Sequence, residues 1–157
     1  MPGAGKSTVG VLLAKIAGLE FIDSDIVIQK EEGRLLHEII SDEGTDGFIK
    51  IEERINAGLN PHDSVIATGG SVIYGPAAME HLKDISTIVY LKLEYEALAL
   101  RLGDLKKRGV ALKEGQTLLD LYNERIPLYE KYADVVVDAD RGNPHTVAKD
   151  IMRACFE

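Results

Sequence analysis

The stretch Pro2-Gly3-Ala4-Gly5-Lys6-Ser7-Thr8 decides how the rest of this 157-residue chain is read. Gly5, Lys6 and Ser7 fill the G-K-S end of G-x-x-x-x-G-K-[ST], the Gly-rich loop whose backbone N–H groups cradle phosphates. Glycines at 3 and 5 admit backbone angles and close approaches that a Cβ obstructs. Lys6 supplies a compact positive charge for the β- and γ-phosphates, and the Ser7 hydroxyl is a ligand for Mg2+. Residues 8–15 then read as a helix, with Val9, Leu12, Leu13 and Ile16 on its core-facing stripe. Its N-terminus adds a partial positive charge on the phosphate side. Counting back, the motif's first glycine falls one residue before Met1. The reading therefore expects a strand upstream to feed the loop.

Working outward, 157 residues suffice for one domain with a substantial core. A hydrophobic share of 45% and a charged share of 28% are those of an ordinary globular protein. The net charge of −8 excludes a broad nucleic-acid or anionic-membrane surface. A local phosphate site is compatible with it, being built largely from backbone. The single cysteine, Cys155, can form no internal disulfide, which fits the cytoplasm. No apolar run reaches membrane-spanning length.

Helical and strand patterns alternate, predicting βαβ units around a parallel sheet. Strands are expected at 19–23, 64–68 (a buried strand), 87–91 and 135–137. Helices are expected at 26–32, 35–41, 46–59, 76–82, 95–102, 117–132 (kinked by Pro127) and 144–156. Residues 103–116, polar and glycine-bounded, read as a mobile lid. The chain shows no repeat and no linker, so 1–157 is taken as one domain.

In open α/β sheets ligands bind beyond the carboxyl ends of the strands. Asp23 and Asp25 follow one strand, and i, i+2 spacing in extended backbone puts both on one face. An N-cap is the competing reading of Asp23-Ser24-Asp25. Gly69 and Gly70 follow another strand, where backbone can lie close against a ligand. The loop and both strand ends should meet on one rim. Arg101 and Arg108 bracket the lid, and Arg125 sits in Glu124-Arg125-Ile126-Pro127-Leu128-Tyr129. The guanidinium fork suits phosphate or carboxylate recognition; a solvated surface role is the alternative for any one of them. His37, His62, His81 and His145 show no metal-ligand spacing.

Taken in order, these motifs resemble the shikimate kinase family, nearly end to end. The resemblance implies the nucleoside monophosphate kinase fold, a five-stranded parallel sheet with helices on both faces, whose central strand is the one missing here. A chain without it is expected to be poorly stable. It also implies ATP as phosphoryl donor with Mg2+, and a small carboxylate-bearing acceptor. Gly3, Ala4, Gly5, Lys6, Ser7 and Thr8 would bind the ATP phosphates, with Ser7 on the metal directly and Asp23 through water. Asp25 would hold the acceptor hydroxyl and help remove its proton, and the 24–60 region would bind the acceptor. Gly69 and Gly70 would line that pocket, Arg125 would pair with the carboxylate, and Arg108 would close with the lid. Arg101 and Arg141 would stack near the adenine. Lys6, Asp25 and Arg108 are thus the expected catalytic set, in a cytoplasmic monomer.

Three departures fall on the acceptor side or lid. The family's F-R-x-x-E reads Phe48-Ile49-Lys50-Ile51-Glu52, so Ile49 occupies the slot of an arginine that shares the substrate carboxylate. Lys50 lies about 100° round the helix. Losing such a partner costs about 1.5–3 kcal/mol. There are two glycines where three are usual, and the lid reads Arg108-Gly109-Val110-Ala111 rather than R-P-L. These departures leave open a kinase of another hydroxylated acid or amino acid, gluconate- or homoserine-type, and a nucleotide-binding module without activity.

Overall fold

In a computed structural model, residues 1–103 and 112–157 are described. The phosphate loop opens directly into α1 (Lys6–Ala17), and β1 (Glu20–Asp23), α2 (Ser24–Glu32) and α3 (Leu36–Ala57) follow. Then come β2 (Ser64–Ala67), a 3₁₀ turn (Val72–Tyr74), α4 (Pro76–Ile85), β3 (Val89–Lys92) and α5 (Tyr95–Leu102). Further along the chain, α6 (Leu118–Tyr132), β4 (Val135–Asp138) and α7 (Pro144–Phe156) complete the α/β alternation expected from the sequence.

The strands pair in parallel, but as two separate ribbons. β1 pairs with β2 in the register Phe21 to Val65, and β3 pairs with β4 in the register Tyr90 to Val136. Among the described residues β2 and β3 do not pair with each other. An apolar cavity of about 460 Å³ separates them, lined by Val65, Ile66, Val89, Leu91 and Leu13. It lies where the sequence reading puts the family's central strand. That geometry corrects one expectation: the 64–68 strand is only half-buried, apart from Ala67, because one edge of it faces this cavity.

α1 lies over β1 and β2 and packs along α7, which covers β4. The buried stripe of α1 is Val9, Gly10, Leu13 and Ala14, while Ile16 is 40% exposed. Ile16 was expected inward and points out, because the close face of α1 is marked by its small residues. A Cβ at Gly10 would lie 2.7 Å from the Phe21 ring. The main core runs from the loop through α4, α5, α6 and α7, with Leu98 and Ala148 fully buried.

A second, smaller core holds α2 against α3: Ile28 packs with Ile39, Phe48 and Ile55. The two helices expected at 35–41 and 46–59 run on as one element, bent at Gly44 (φ 72°, ψ 177°). Only glycine adopts that backbone readily. On its outer surface Arg34 bridges Glu32, Asp42 and Glu43, tying α2 to the first half of α3. Two further details complete the comparison with the sequence. α6 runs helical through Pro127, and α2 begins at Ser24 rather than residue 26.

The Gly10 contact generates a test. Gly10→Val should lower stability to urea by about 1–3 kcal/mol, since the added atoms overpack the α1–β1 interface. An unchanged unfolding midpoint would show that Phe21 yields without penalty.

Candidate active site

Gly3 (φ 74°) and Gly5 (φ 87°) give the loop two left-handed turns, the conformation glycine accepts at no steric penalty. A Cβ at Gly3 would press on Leu102 Cδ2 at 2.8 Å, so the loop rests directly on α5. Ala4 faces the other way, 2% exposed in the core. Gly5 is the N-cap of α1, and Lys6 Nζ donates to the Met1 carbonyl at 2.7 Å, folding the ammonium back across the loop. Burial lowers the Lys6 pKa to about 8, opposed by the nearby Asp25, Glu52 and Asp23 carboxylates.

Ser7 Oγ donates to Asp23 Oδ2 at 2.9 Å. The other oxygen of the same carboxylate, Oδ1, accepts from the Asp25 backbone N–H at 3.0 Å and caps α2. The N-cap and the functional readings of Asp23 are therefore both realised. Their geometry differs from the expectation of an extended i, i+2 pair, because α2 starts at Ser24 and Asp25 lies in its first turn. The strand-to-helix junction turns Asp25 inward. Burial raises its pKa, the charge of Asp23 adds to the rise, and Lys6 opposes it. Asp25 Oδ1 is buried without a hydrogen-bond partner among the described residues.

Gly69 and Gly70 carry no unusual backbone angle; what they lack is room. A Cβ at Gly69 would collide with Glu52 Oε1 and lie 3.2 Å from Asp25 Oδ1. A Cβ at Gly70 would lie 3.0 Å from Arg125 Nη1 and 3.1 Å from Pro2 Cδ. The turn is further fixed by Tyr129 Oη, which donates to the Gly70 carbonyl at 2.7 Å; burial pushes that phenol up to about 12 and keeps it a donor. Arg125 is 7% exposed, its guanidinium 5.4 Å from the Tyr74 ring centre and its Nε without a hydrogen-bond partner among the described residues.

One cavity of about 570 Å³ collects these groups. The loop with Lys6, Ser7 and Thr8 lies along one side, with Asp23, Asp25, Gly69, Gly70 and Arg125 around the rest. Ile49 is on its wall, whereas Lys50 is exposed and does not line it. Arg101 and Arg141 stand apart. Arg101 donates to the Ala139 carbonyl at 2.9 Å and Arg141 pairs with Asp138 at 3.1 Å, so both mark the loop after β4. Arg108 lies outside the described residues, as does most of the segment 103–116 expected to form a lid.

Sequence reasoning missed Glu52. It is 1% exposed, lines the same cavity, and accepts from Ser71 Oγ through Oε2 at 2.5 Å. Burial raises its pKa to about 7; the Ser71 bond opposes this, Asp25 adds to it, and Arg125 and Lys6 oppose it. Its position four residues after Phe48, on the buried face of α3, was the signal available.

Glu52 makes stability depend on pH. A carboxyl whose pKa rises from 4.5 unfolded to about 7 folded contributes fully below pH 4.5, and that contribution is lost as pH climbs to 7. Relative to Glu52→Gln, the parent chain should lose at most on the order of 3 kcal/mol between those limits, read by urea unfolding. Parallel stability curves would show that Glu52 stays ionised throughout.

The description "Shikimate kinase" belongs to the family model that matches residues 2–156. Shikimate kinase of Mycobacterium ulcerans is 35% identical over 155 residues, covering 97% of this chain and 84% of the relative. That of Histophilus somni is 37% identical over 154 residues, covering 96% and 88%. Among solved structures, shikimate kinase from Acinetobacter baumannii in complex with shikimate superposes with a TM-score of 0.87 at 34% identity, covering 98% of this chain and 87% of that one. The Aquifex aeolicus enzyme gives 0.80 at 31%, covering 96% and 89%. With a phosphate loop, paired carboxylates and a buried arginine around one cavity, this chain belongs to the shikimate kinase family.

Proposed function

We propose that this protein transfers the γ-phosphoryl group of ATP to a hydroxyl of shikimate, acting as a cytoplasmic monomer. The observation that carries the reading is the convergence of Lys6, Asp25 and Arg125 on one cavity. They supply, respectively, a phosphate cation, a carboxylate for the accepting hydroxyl and a cation for the acceptor's carboxylate. Backbone N–H groups of the 3–8 loop hold the phosphates, with Lys6 against the β- and γ-oxygens. A bound phosphate keeps Lys6 protonated above its resting pKa.

Ser7 and Asp23 present hard oxygen ligands 2.9 Å apart, which fits Mg2+. When bound, it neutralises charge developing on the transferred group.

Asp25, with one oxygen unpartnered, accepts a hydrogen bond from the reacting hydroxyl and takes its proton as the oxygen attacks phosphorus. The bond from phosphorus to the bridging oxygen breaks, ADP leaves, and a phosphate monoester remains. Arg125 orients the acceptor at its far end, held over Tyr74 and against Gly70. Arg101 and Arg141, beside the loop after β4, are assigned to the adenine, and Arg108 with the 103–116 lid to closure over the phosphates. Residues 24–60 form the acceptor-binding region within the single kinase domain.

Ile49 on the cavity wall favours one second reading, the same reaction on another hydroxylated acid of gluconate or homoserine type. A panel of such acceptors scored by ADP release separates the two; a preference for any acid over shikimate would displace the first. The carboxylates kept at 23 and 25 weigh against an inactive module.

Lys6→Ala should abolish measurable shikimate-dependent ADP release. Asp25→Asn should lower kcat by about 10²–10⁴ while the KM for ATP changes little. Near-parental turnover in Asp25→Asn would remove Asp25 from the chemistry.

A further inference from the structure

Arg125 is a buried cation whose nearest acid in the sequence is kept off it. The residue is 7% exposed, and its guanidinium lies 5.4 Å from the Tyr74 ring centre, beside Gly70. A buried charge of this kind calls for an anion, and arginine's fork suits a carboxylate. Among the described residues no carboxylate lies within ion-pair distance of it. Yet Glu124 directly precedes it on α6 and lines the same cavity.

Both oxygens of Glu124 are taken. Oε1 accepts from Tyr74 Oη, and Oε2 accepts from Gln116 Nε2 at 3.1 Å. Gln116 is itself oriented: its Oε1 accepts from the Lys113 backbone N–H at 3.2 Å, which turns the NH₂ toward Glu124. Burial raises the Tyr74 pKa and the Glu124 bond adds to the rise, with Arg125 opposing, so the phenol stays a donor. Across the cavity, Glu52 senses the Arg125 charge but is held by Ser71 at 2.5 Å. Each of these acids is thus tied to neutral donors. Bonds made by the exposed Glu124 replace bonds to water and contribute little to stability. Their consequence is where they keep its charge.

We infer that Tyr74 and Gln116 are positioning residues that hold the Glu124 carboxylate away from Arg125, leaving the guanidinium open to the carboxylate of an acid acceptor. This rests on the phosphoryl-transfer reading, in which Arg125 binds that group. Without the restraint, Glu124 becomes a tethered competitor for the same fork. The effect falls on acceptor binding rather than on the chemical step.

Tyr74→Phe tests this, because it keeps the ring beside Arg125 and removes only the hydroxyl that restrains Glu124. The KM for shikimate should rise about five- to tenfold, with kcat and the KM for ATP within about twofold of the parent. The deciding protein is the double variant Tyr74→Phe with Glu124→Gln, in which the released side chain carries no charge. Its KM for shikimate should return to within about twofold of the parent. A merely structural role for the Tyr74–Glu124 bond predicts no recovery, because the double variant lacks that bond as well. Should Tyr74→Phe fail to fold, Gln116→Ala releases the other oxygen, and its rise in KM should likewise vanish when Glu124→Gln is added.

A double variant as impaired as the single one, or a single variant with the parental KM, overturns the inference while leaving the kinase reading intact. No shikimate-dependent ADP release from the parent defeats that reading, and the inference about Glu124 falls with it.

Discussion

The backbone at Gly69-Gly70 leaves no space for a side chain, and the active site is assembled around that crowding. Glu52 and Asp25 close on Gly69, while Arg125 and Pro2 close on Gly70. Tyr129 pins the Gly70 carbonyl from α6. One short turn after β2 thus sets the spacing between the phosphate loop, the acceptor-side helices and the arginine helix. Glycine is needed at these positions because neighbouring side chains come too close, not because the backbone angles are strained. Proteins transmit such constraints because packed interiors do not deform continuously.

The same crowding organises the charges. Lys6 and Arg125 share a cavity with Asp25 and Glu52, and the shifted pKa values of Lys6, Asp25 and Glu52 record the mixture. Burial penalises the charges on Lys6, Asp25 and Glu52, and each of the two carboxylates is relieved by cations beside it. The balance is incomplete: Asp25 Oδ1, Glu52 Oε1 and Arg125 Nε have no hydrogen-bond partner among the described residues. Pre-positioned, unsatisfied groups of this kind are how a site favours charge that develops during reaction.

Much of this was legible in the sequence, for identifiable reasons. The phosphate loop has a fixed spacing, and Asp23, Asp25, Gly69 and Gly70 follow from strand ends. Arg125 was found through its local motif. Two misreadings share a cause, which is judging burial by apolarity. Ile16 was assigned inward, yet Gly10 and Ala14 mark the face of α1 that approaches its neighbours. Glu52 was passed over because it is charged, although it follows Phe48 by four residues on the buried face of α3. The bend at Gly44 is a single-residue event that periodicity cannot report. The half-burial of β2 depends on a neighbour across the sheet, which local pattern does not carry.

The claim at the centre of this account is that Gly69, unlike Gly70, holds Glu52 and Asp25 in place without pressing on the phosphate loop. Calorimetric titration of Gly69→Ala with shikimate and, separately, with ATP tests it directly. A methyl group at residue 69 displaces Glu52 and Asp25 but meets no loop atom among its nearest neighbours. Shikimate affinity should fall by tenfold or more, about 1.4 kcal/mol, with ATP affinity within about threefold of the parent. Unchanged shikimate affinity, or an equal loss for both ligands, would contradict it.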